Sequence, residues 1–273
     1  MKKIIAGIAT AALIGLGAAT AKDINKIVID GSTTVGPIAK AFAEYYMGKH
    51  PEVNITVSES GSGNGAKSLI NETCDVATMS RPMKNSEKDA AKGAGVLPIE
   101  QIVAMDGIVI VVHQSNPIAE LTIEQIRGIY AGRIRNWKQL GGPDLPVVAI
   151  SRDTNSGTYE TFETMVMNKE KITEKTEYVG SNGAIRQRVM NTPSAIGYVG
   201  LAFREGVKPV KVNGIEANPE TVVSRTYPIS RPLYMYTNGR PSEGTPLCEF
   251  INLPKTAEGM KIIEDTGYIP LKP

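Results

Sequence analysis

The stretch that decides the fold reads Val147-Val148-Ala149-Ile150-Ser151-Arg152-Asp153-Thr154-Asn155-Ser156-Gly157-Thr158. Its first four residues are apolar and predict a buried strand, and Tyr159, Phe162 and Val166 then recur at the spacing of a helix face. The polar residues between them therefore form a strand-to-helix turn. Such a turn places free backbone N–H groups, and here several hydroxyls, at a helix N-terminus, where an anion is stabilised.

One cation lies inside this turn. Arg152 carries a planar, permanently charged guanidinium that matches the oxygens of a phosphate or a carboxylate. Asp153, the next residue, could hold that guanidinium in place. A capped helix beside a surface arginine remains the alternative, because Ser and Thr are also ordinary N-caps.

The same pattern of strand, small polar turn and helix recurs along the chain. The other turns are rich in Ser, Thr and Gly and lie at residues 30–34, 58–65, 80–82 and 178–183. This alternation predicts an α/β fold with a largely parallel sheet flanked by helices. Because ligands bind at the carboxyl ends of the strands in such sheets, we expect the turns to gather at one edge.

Two long apolar stretches suggest how the chain is divided. Residues 99–113 and 227–236 are nearly continuously apolar, and the first is long for one strand. It is either two strands or one strand that crosses between lobes. Two crossings predict two lobes, the first made of residues 22–108 and 226–273 and the second of residues 109–225.

The N-terminus has the features of a secretory signal. Lys2 and Lys3 precede an apolar run, and a small-x-small cleavage site ends at Ala21. Residues 1–21 are therefore predicted to be a cleavable signal peptide. An uncleaved membrane anchor is the alternative, although the run is short for a span. An exported mature chain of about 250 residues is expected.

Composition excludes several classes of partner. Without the two lysines of the signal peptide, the chain has 28 basic and 28 acidic residues, so no nucleic-acid surface is expected. His50 and His113 are far apart and lack neighbours at metal-binding spacing, which predicts no metal site. Cys74 and Cys248 could pair in an oxidising compartment, but their spacing leaves this open.

Two enzyme motifs are incomplete. Residues 61–68 read GSGNGAKS and nearly match a nucleotide phosphate loop, but Ala66 replaces its second glycine. The nucleophile elbow Gly-x-Ser-x-Gly does not occur in the sequence, and a serine hydrolase also needs a histidine near its serine. What remains is a set of hydroxyls and amides with Arg81 and Arg152. This set favours binding of a small tetrahedral oxyanion over a reaction centre.

Four segments resemble, in order and approximate spacing, the phosphate-binding proteins of bacterial ABC phosphate transporters. These segments are residues 30–37, 61–65, 75–81 and 151–158, and residues 184–200 look like the family as well. The resemblance implies a two-lobed periplasmic binding protein of type II, a Venus-flytrap whose helices flank mixed, mainly parallel sheets. It further implies a periplasmic monomer, not an enzyme and without a cofactor, that encloses phosphate and delivers it to a membrane permease. A receptor for sulfate, molybdate or tungstate, and a secreted phosphatase or other hydrolase, are the alternatives.

The resemblance also implies a set of ligand residues. The predicted phosphate ligands are Thr33, Thr34, Ser62, Arg81, Arg152, Ser156, Gly157 and Thr158, with Asp153 in a supporting role. Arg81 stands where well-known members carry an Asp that accepts the proton of hydrogen phosphate. We expect Arg81 to turn into the cleft and pair with the anion. The alternative is a strand-end arginine paired with Glu59 or Asp75.

Overall fold

The computed structural model describes residues 23–271, so the predicted signal peptide lies outside the described residues. The strands in this range are β1 (Lys26–Gly31), β2 (Asn54–Ser58), β3 (Val76–Met79), β4 (Pro98–Val112), β5 (Glu120–Leu121), β6 (Val148–Arg152), β7 (Glu177–Val179), β8 (Ala195–Gly200), β9 (Lys208–Val212) and β10 (Ser230–Asn238). The α-helices are α1 (Gly36–Lys49), α2 (Ser62–Ile70), α3 (Asn85–Gly93), α4 (Ile123–Tyr130), α5 (Gly157–Met165), α6 (Asn182–Met190), α7 (Pro219–Val223), α8 (Pro246–Asn252) and α9 (Ala257–Asp265). Across residues 23–271, no helix has the length and apolar character needed to span a membrane.

The strands join into one mixed sheet with the order β2-β1-β3-β10-β4-β8-β6-β7, and β9 pairs with β4 and β5. At one end, β1 runs parallel to β2 and β3; at the other, β6 runs parallel to β7 and β8. Between them, β10 and β4 run antiparallel to each other and to their outer neighbours β3 and β8. The sheet therefore has two halves of parallel strands joined by an antiparallel pair.

Strand β4 connects the two halves. Residues 98–107 pair with β10, whereas the segment from Ile108 to Val112 pairs with β8. The last ten residues of β4 are buried, which explains why this stretch is apolar on both faces. The apolar run is thus a single strand of 15 residues that changes partner, not two strands. The residue boundaries of the two lobes remain a prediction.

Several helices begin close to the carboxyl ends of strands. Helix α1 follows β1 and carries Pro37 in its first turn, where a missing N–H costs nothing. Helix α2 likewise begins shortly after the end of β2, α5 after β6, and α6 after β7. Ile38, Phe42 and Tyr46 bury one side of α1, and Phe162 of α5 stacks on Tyr198 of β8 with ring centroids 4.0 Å apart. This packing fixes the helix N-termini relative to the sheet.

The structure also answers the question about the cysteines. Cys248 has a free thiol, so it is not bonded to Cys74.

Candidate functional site

Buried hydroxyls gather where the two halves of the sheet meet. They come from the β1–α1 turn, the first turn of α2, the end of β3 and the N-terminus of α5. Each of these side chains is at most 6% exposed: Thr33, Thr34, Ser62, Ser80, Ser156 and Thr158. Burying so many polar groups costs free energy unless they form hydrogen bonds, so a buried cluster of this kind points to a function.

The cluster is formed by both halves of the molecule. Thr34 Oγ1, which follows β1, lies 2.9 Å from Thr158 Oγ1 in α5. The backbone N–H of Gly63 donates to the carbonyl oxygen of Asn155 at 3.0 Å. The turns that the sequence places apart are thus brought into direct contact across a narrow cleft.

Gly157 fits between two serines of the opposite half. A Cβ atom built at this position would lie 2.5 Å from Ser62 Oγ and 2.7 Å from Ser80 Oγ. Real Cβ contacts are not that short, so only glycine allows the approach. Ser62 Oγ in turn accepts the backbone N–H of Ser80 at 3.1 Å. The N-terminus of α5 therefore points into the hydroxyl cluster.

Arg152 brings a cation to this place. Its side chain is 1% exposed, and Nη2 donates to the carbonyl oxygen of Gly180 at 2.8 Å. Nε and Nη1 are buried without a hydrogen-bond partner among residues 23–271. Burial lowers the pKa of Arg152 to about 10, although the charge of Asp153 acts in the opposite direction. At neutral pH the guanidinium is therefore charged, and two of its nitrogen atoms have no acceptor within the described part of the chain.

The local sequence explains how Arg152 is held. It is the last residue of β6, and its backbone N–H donates to the hydroxyl of Tyr198 at 3.2 Å. Ser151 Oγ lies 2.7 Å from the same hydroxyl. The Tyr198 ring is fixed in turn by Phe162 of α5. One aromatic pair thus aligns the strand end with the helix that follows it.

Asn182, the first residue of α6, fixes two of the threonines. Its Nδ2 donates to Thr33 Oγ1 at 3.1 Å and to Thr34 Oγ1 at 3.0 Å, while its Oδ1 accepts the N–H of Gly200 at 3.1 Å. In the sequence this turn is recognisable only as a repeat of the strand-turn-helix pattern. Its position at a further strand-to-helix turn was the signal that could have identified the residue.

Asp106 and Arg231 form a buried ion pair next to the cluster. Arg231 Nε and Nη2 donate to Asp106 Oδ2 at 2.9 and 2.8 Å, and Nη2 also donates to Thr158 Oγ1 at 3.0 Å. Burial raises the pKa of the Asp106 carboxyl, although Arg231 lowers it. Sequence reasoning missed both residues. The available signal was a charged residue in the middle of each apolar crossing, Asp106 in the first and Arg231 in the second.

A metal centre would need His, Cys, Asp or Glu side chains as ligands, and not hydroxyls and guanidinium groups. Within the described range, no three His, Cys, Asp or Glu side chains are grouped closely enough to hold a metal ion. The groups that meet at the cleft are hydroxyls, amides and guanidinium groups, which donate hydrogen bonds to an anion.

Comparison with known proteins agrees with this arrangement. Residues 16–252 match the model of a PBP superfamily domain. The phosphate-binding protein PstS of Staphylococcus aureus strain USA300 is 33% identical over 253 residues, which is 88% of this chain and 76% of that protein. A putative phosphate ABC transporter substrate-binding protein from Clostridium perfringens, solved with bound phosphate, is 35% identical and superposes with a TM-score of 0.84 over 90% of this chain and all of that one. An ABC-type phosphate transport receptor from Vibrio cholerae is 31% identical, with a TM-score of 0.73 and the same coverage.

The chain belongs to the PBP superfamily and, within it, to the PstS-like phosphate-binding proteins. Membership confirms the predicted fold class, a two-lobed α/β binding protein whose mixed sheets are flanked by helices. The ligand residues implied by the family resemblance remain a prediction, and the structure places most of them in one cluster.

Arg81 is the member of that set that the structure holds elsewhere. Glu87 accepts from its Nη1 and Nη2 at 2.7 and 2.6 Å, and Glu160 Oε2 lies 2.8 Å from its Nε. Burial alone would lower the pKa of Arg81, but the two carboxylates raise it above its ordinary value. Both carboxylates hold Arg81 away from the hydroxyl cluster in this structure, so the contacts do not support the expectation that Arg81 turns into the cleft, which stays a prediction. The contacts resemble the alternative of a strand-end arginine paired with a carboxylate, but the partners are Glu87 and Glu160 and not Glu59 or Asp75.

Ser80, the residue before Arg81, contributes its side chain to the hydroxyl cluster. Its hydroxyl lies 3.4 Å from Ser62 Oγ and close to the backbone of Gly157. The side chain that reaches the cluster is thus that of Ser80, one residue before the predicted Arg81.

Asp153 differs from its expected role as well. Its Oδ1 accepts the backbone N–H of Asn155 at 2.9 Å, which shapes the turn before α5. The structure shows no hydrogen bond between Asp153 and Arg152; the carbonyl of Gly180 holds the guanidinium instead. Asp153 acts on Arg152 through its charge alone.

Proposed function

We propose that this protein binds inorganic phosphate outside the cytoplasm and delivers it to the membrane permease of an ABC importer. The observation that carries the proposal is the Arg152 guanidinium, buried with two donors that lack an acceptor among the described residues. An oxyanion between the lobes would accept from both donors and from the surrounding hydroxyls. The phosphate-related names of the relatives, one of them with phosphate bound, support phosphate as that oxyanion.

The proposed ligand set follows the cluster and not the sequence alone. It consists of Thr33, Thr34, Ser62, Ser80, Arg152, Ser156, Gly157 and Thr158. The backbone N–H groups at the start of α5 add the positive end of a helix dipole. Ser80 replaces Arg81 in this set.

The positions of the histidines support a binding protein over a hydrolase. A serine nucleophile needs an adjacent base, for which histidine is the commonest choice. His50 stacks on Tyr46 and His113 Nδ1 bonds to Ser115, and both are outside the hydroxyl cluster. We therefore propose that the hydroxyls bind the anion and do not attack it. Export to the periplasm through the predicted signal peptide, and a monomeric state, complete the proposal.

Titration calorimetry tests it. The protein is first freed of bound anions by dialysis in denaturant and refolded. We expect one phosphate per chain with micromolar or tighter affinity, about 8 kcal/mol or more. A phosphate monoester should bind poorly, because a buried cluster leaves no exit for the ester group, and no phosphate should be released from it. Tighter binding of sulfate or molybdate than of phosphate would assign the protein to another oxyanion, and steady release of phosphate would make it an enzyme.

A further inference from the structure

The ion pair of Asp106 and Arg231 lies where the chain crosses between the two halves. The two residues are direct neighbours in the antiparallel pairing of β4 and β10. Two residues further along, at Ile108, β4 leaves β10 and pairs with Gly200 of β8. Asp106 is fully buried and Arg231 is 4% exposed. A buried ion pair often adds little net stability, so its presence at this junction calls for another reason.

Arg231 contacts both sides of the cleft. Its Nη1 donates to the carbonyl oxygen of Ser80 at 3.1 Å, at the end of β3. Its Nη2 donates to Thr158 Oγ1 at 3.0 Å, in the first turn of α5. One guanidinium therefore fixes a group from each half of the anion cluster.

The direction of these bonds matters. A guanidinium has only donors, so the Thr158 hydroxyl must accept from Arg231. The amide of Asn182 likewise donates to Thr34. The hydroxyls of Thr158 and Thr34 therefore keep their own protons for other acceptors. Because they lie 2.9 Å apart, one proton can serve the contact between them and the other can point at an anion.

The charge of Arg231 is largely cancelled. Asp106 Oδ2 accepts from Nε and Nη2, while Oδ1 accepts the backbone N–H of Leu201 at 3.0 Å. The pair as a whole therefore orients the Thr158 hydroxyl and adds little net charge to the anion cluster. The positive charge at the cluster comes from Arg152.

We propose that Arg231 is a positioning residue of the phosphate site that acts through Thr158, with Asp106 holding it in place and neutralising it. This proposal rests on the proposed function. A purely structural ion pair would stabilise the junction of β4 and β10 without acting through the Thr158 hydroxyl. The two roles differ in whether the effects of changing Arg231 and Thr158 on affinity depend on each other.

The test is a double-mutant cycle on phosphate affinity measured by calorimetry. The proteins are the parent, Thr158→Val, Asp106→Asn/Arg231→Met, and the triple variant. Replacing both members of the pair avoids leaving a buried charge unpaired, and Asn at position 106 keeps an acceptor for the N–H of Leu201. Thermal unfolding without phosphate checks that each variant folds. The control is Glu177→Gln/Arg188→Met, which removes an exposed pair joined at 2.7 Å and should leave the affinity unchanged.

We expect Thr158→Val and the pair variant each to bind about tenfold more weakly, the size of one hydrogen bond to a charged group. The triple variant should bind at most about threefold more weakly than Thr158→Val. Independent losses that multiply to roughly a hundredfold would overturn the positioning role while leaving the proposed function intact. Parent-like affinity of the pair variant would also overturn it. A parent protein that binds no phosphate would overturn the proposed function, and this inference with it.

Discussion

Glu160 of α5 lies 2.8 Å from Arg81, the residue that follows Ser80 after β3, and so joins the two halves of the molecule at the side of the anion cluster. Lys84 Nζ lies 2.7 Å from the same carboxylate oxygen. Arg81 and Glu160 are 6% and 14% exposed, so solvent screens their interaction less than at an open surface.

Replacement of Glu160 by Gln should weaken phosphate binding about tenfold, because an interaction between charges across the cleft is lost. The loss should lie in a faster dissociation rate, with a nearly constant association rate, since the contact forms only after the halves have met. Stopped-flow measurements separate the two rates. Glu163→Gln, on the same helix, is the control and should behave like the parent. A slower association with unchanged dissociation would contradict this role of Glu160.

Replacement of Arg152 by Met should weaken phosphate binding by about thirtyfold or more, since truncating one partner of a buried charged contact typically costs about 2–5 kcal/mol. Arg152→Lys should restore only part of the affinity, because an ammonium cannot present two parallel donors. Calorimetry gives both affinities. An Arg152→Met protein that binds phosphate like the parent would remove Arg152 from the site.

Phosphate affinity should also depend on the protonation of Arg152. Burial lowers the pKa of this guanidinium to about 10. Because the charged form attracts the anion, affinity should be retained below that pKa and fall as the pH rises through about 10. Calorimetry from pH 8 to 11 follows this fall. Arg152→Met provides the baseline for all other titrating groups, and an equal decline in both proteins would show that Arg152 is not the cause.

Replacement of Gly157 by Ala should prevent the two halves from meeting, since the new Cβ would lie 2.5 Å from Ser62 Oγ. We expect affinity to fall about tenfold to a hundredfold, the usual cost of overpacking a closed contact. Gly183→Ala, in the first turn of α6, is the matched control, because its Cβ would meet only Ser181 Oγ at 3.8 Å. Small-angle X-ray scattering should show that phosphate compacts the control but not Gly157→Ala.

Local patterns in the sequence account for much of the site. A turn between a strand and a helix can be read from a few neighbouring residues, so Arg152, Gly157 and Thr158 were found in that way. After β3 the sequence favoured Arg81, whereas the structure brings Ser80 to the cluster, because Arg81 is held by Glu160, far away in the chain. A pattern of neighbouring residues does not predict a contact between residues that are distant in the sequence.

The larger fold shows the same limit. The alternation of strands and helices predicted the α/β class, but it could not tell whether the apolar run before His113 was one strand or two. The pairing of Asp106 with Arg231 joins residues 125 positions apart. Only the register of β4 against β10 brings them together, and no spacing in the sequence encodes that register.

The buried donors of Arg152 affect how often the transporter would hydrolyse ATP without transporting phosphate. Water can solvate the guanidinium when the cleft is open, whereas shutting the cleft around no anion strips that water and gives nothing in return. An unloaded carrier should therefore reopen quickly and spend little time in the shape that a loaded one adopts. An importer that responds to the shut shape would then seldom hydrolyse ATP without cargo, and the safeguard against wasted cycles would reside in the binding protein.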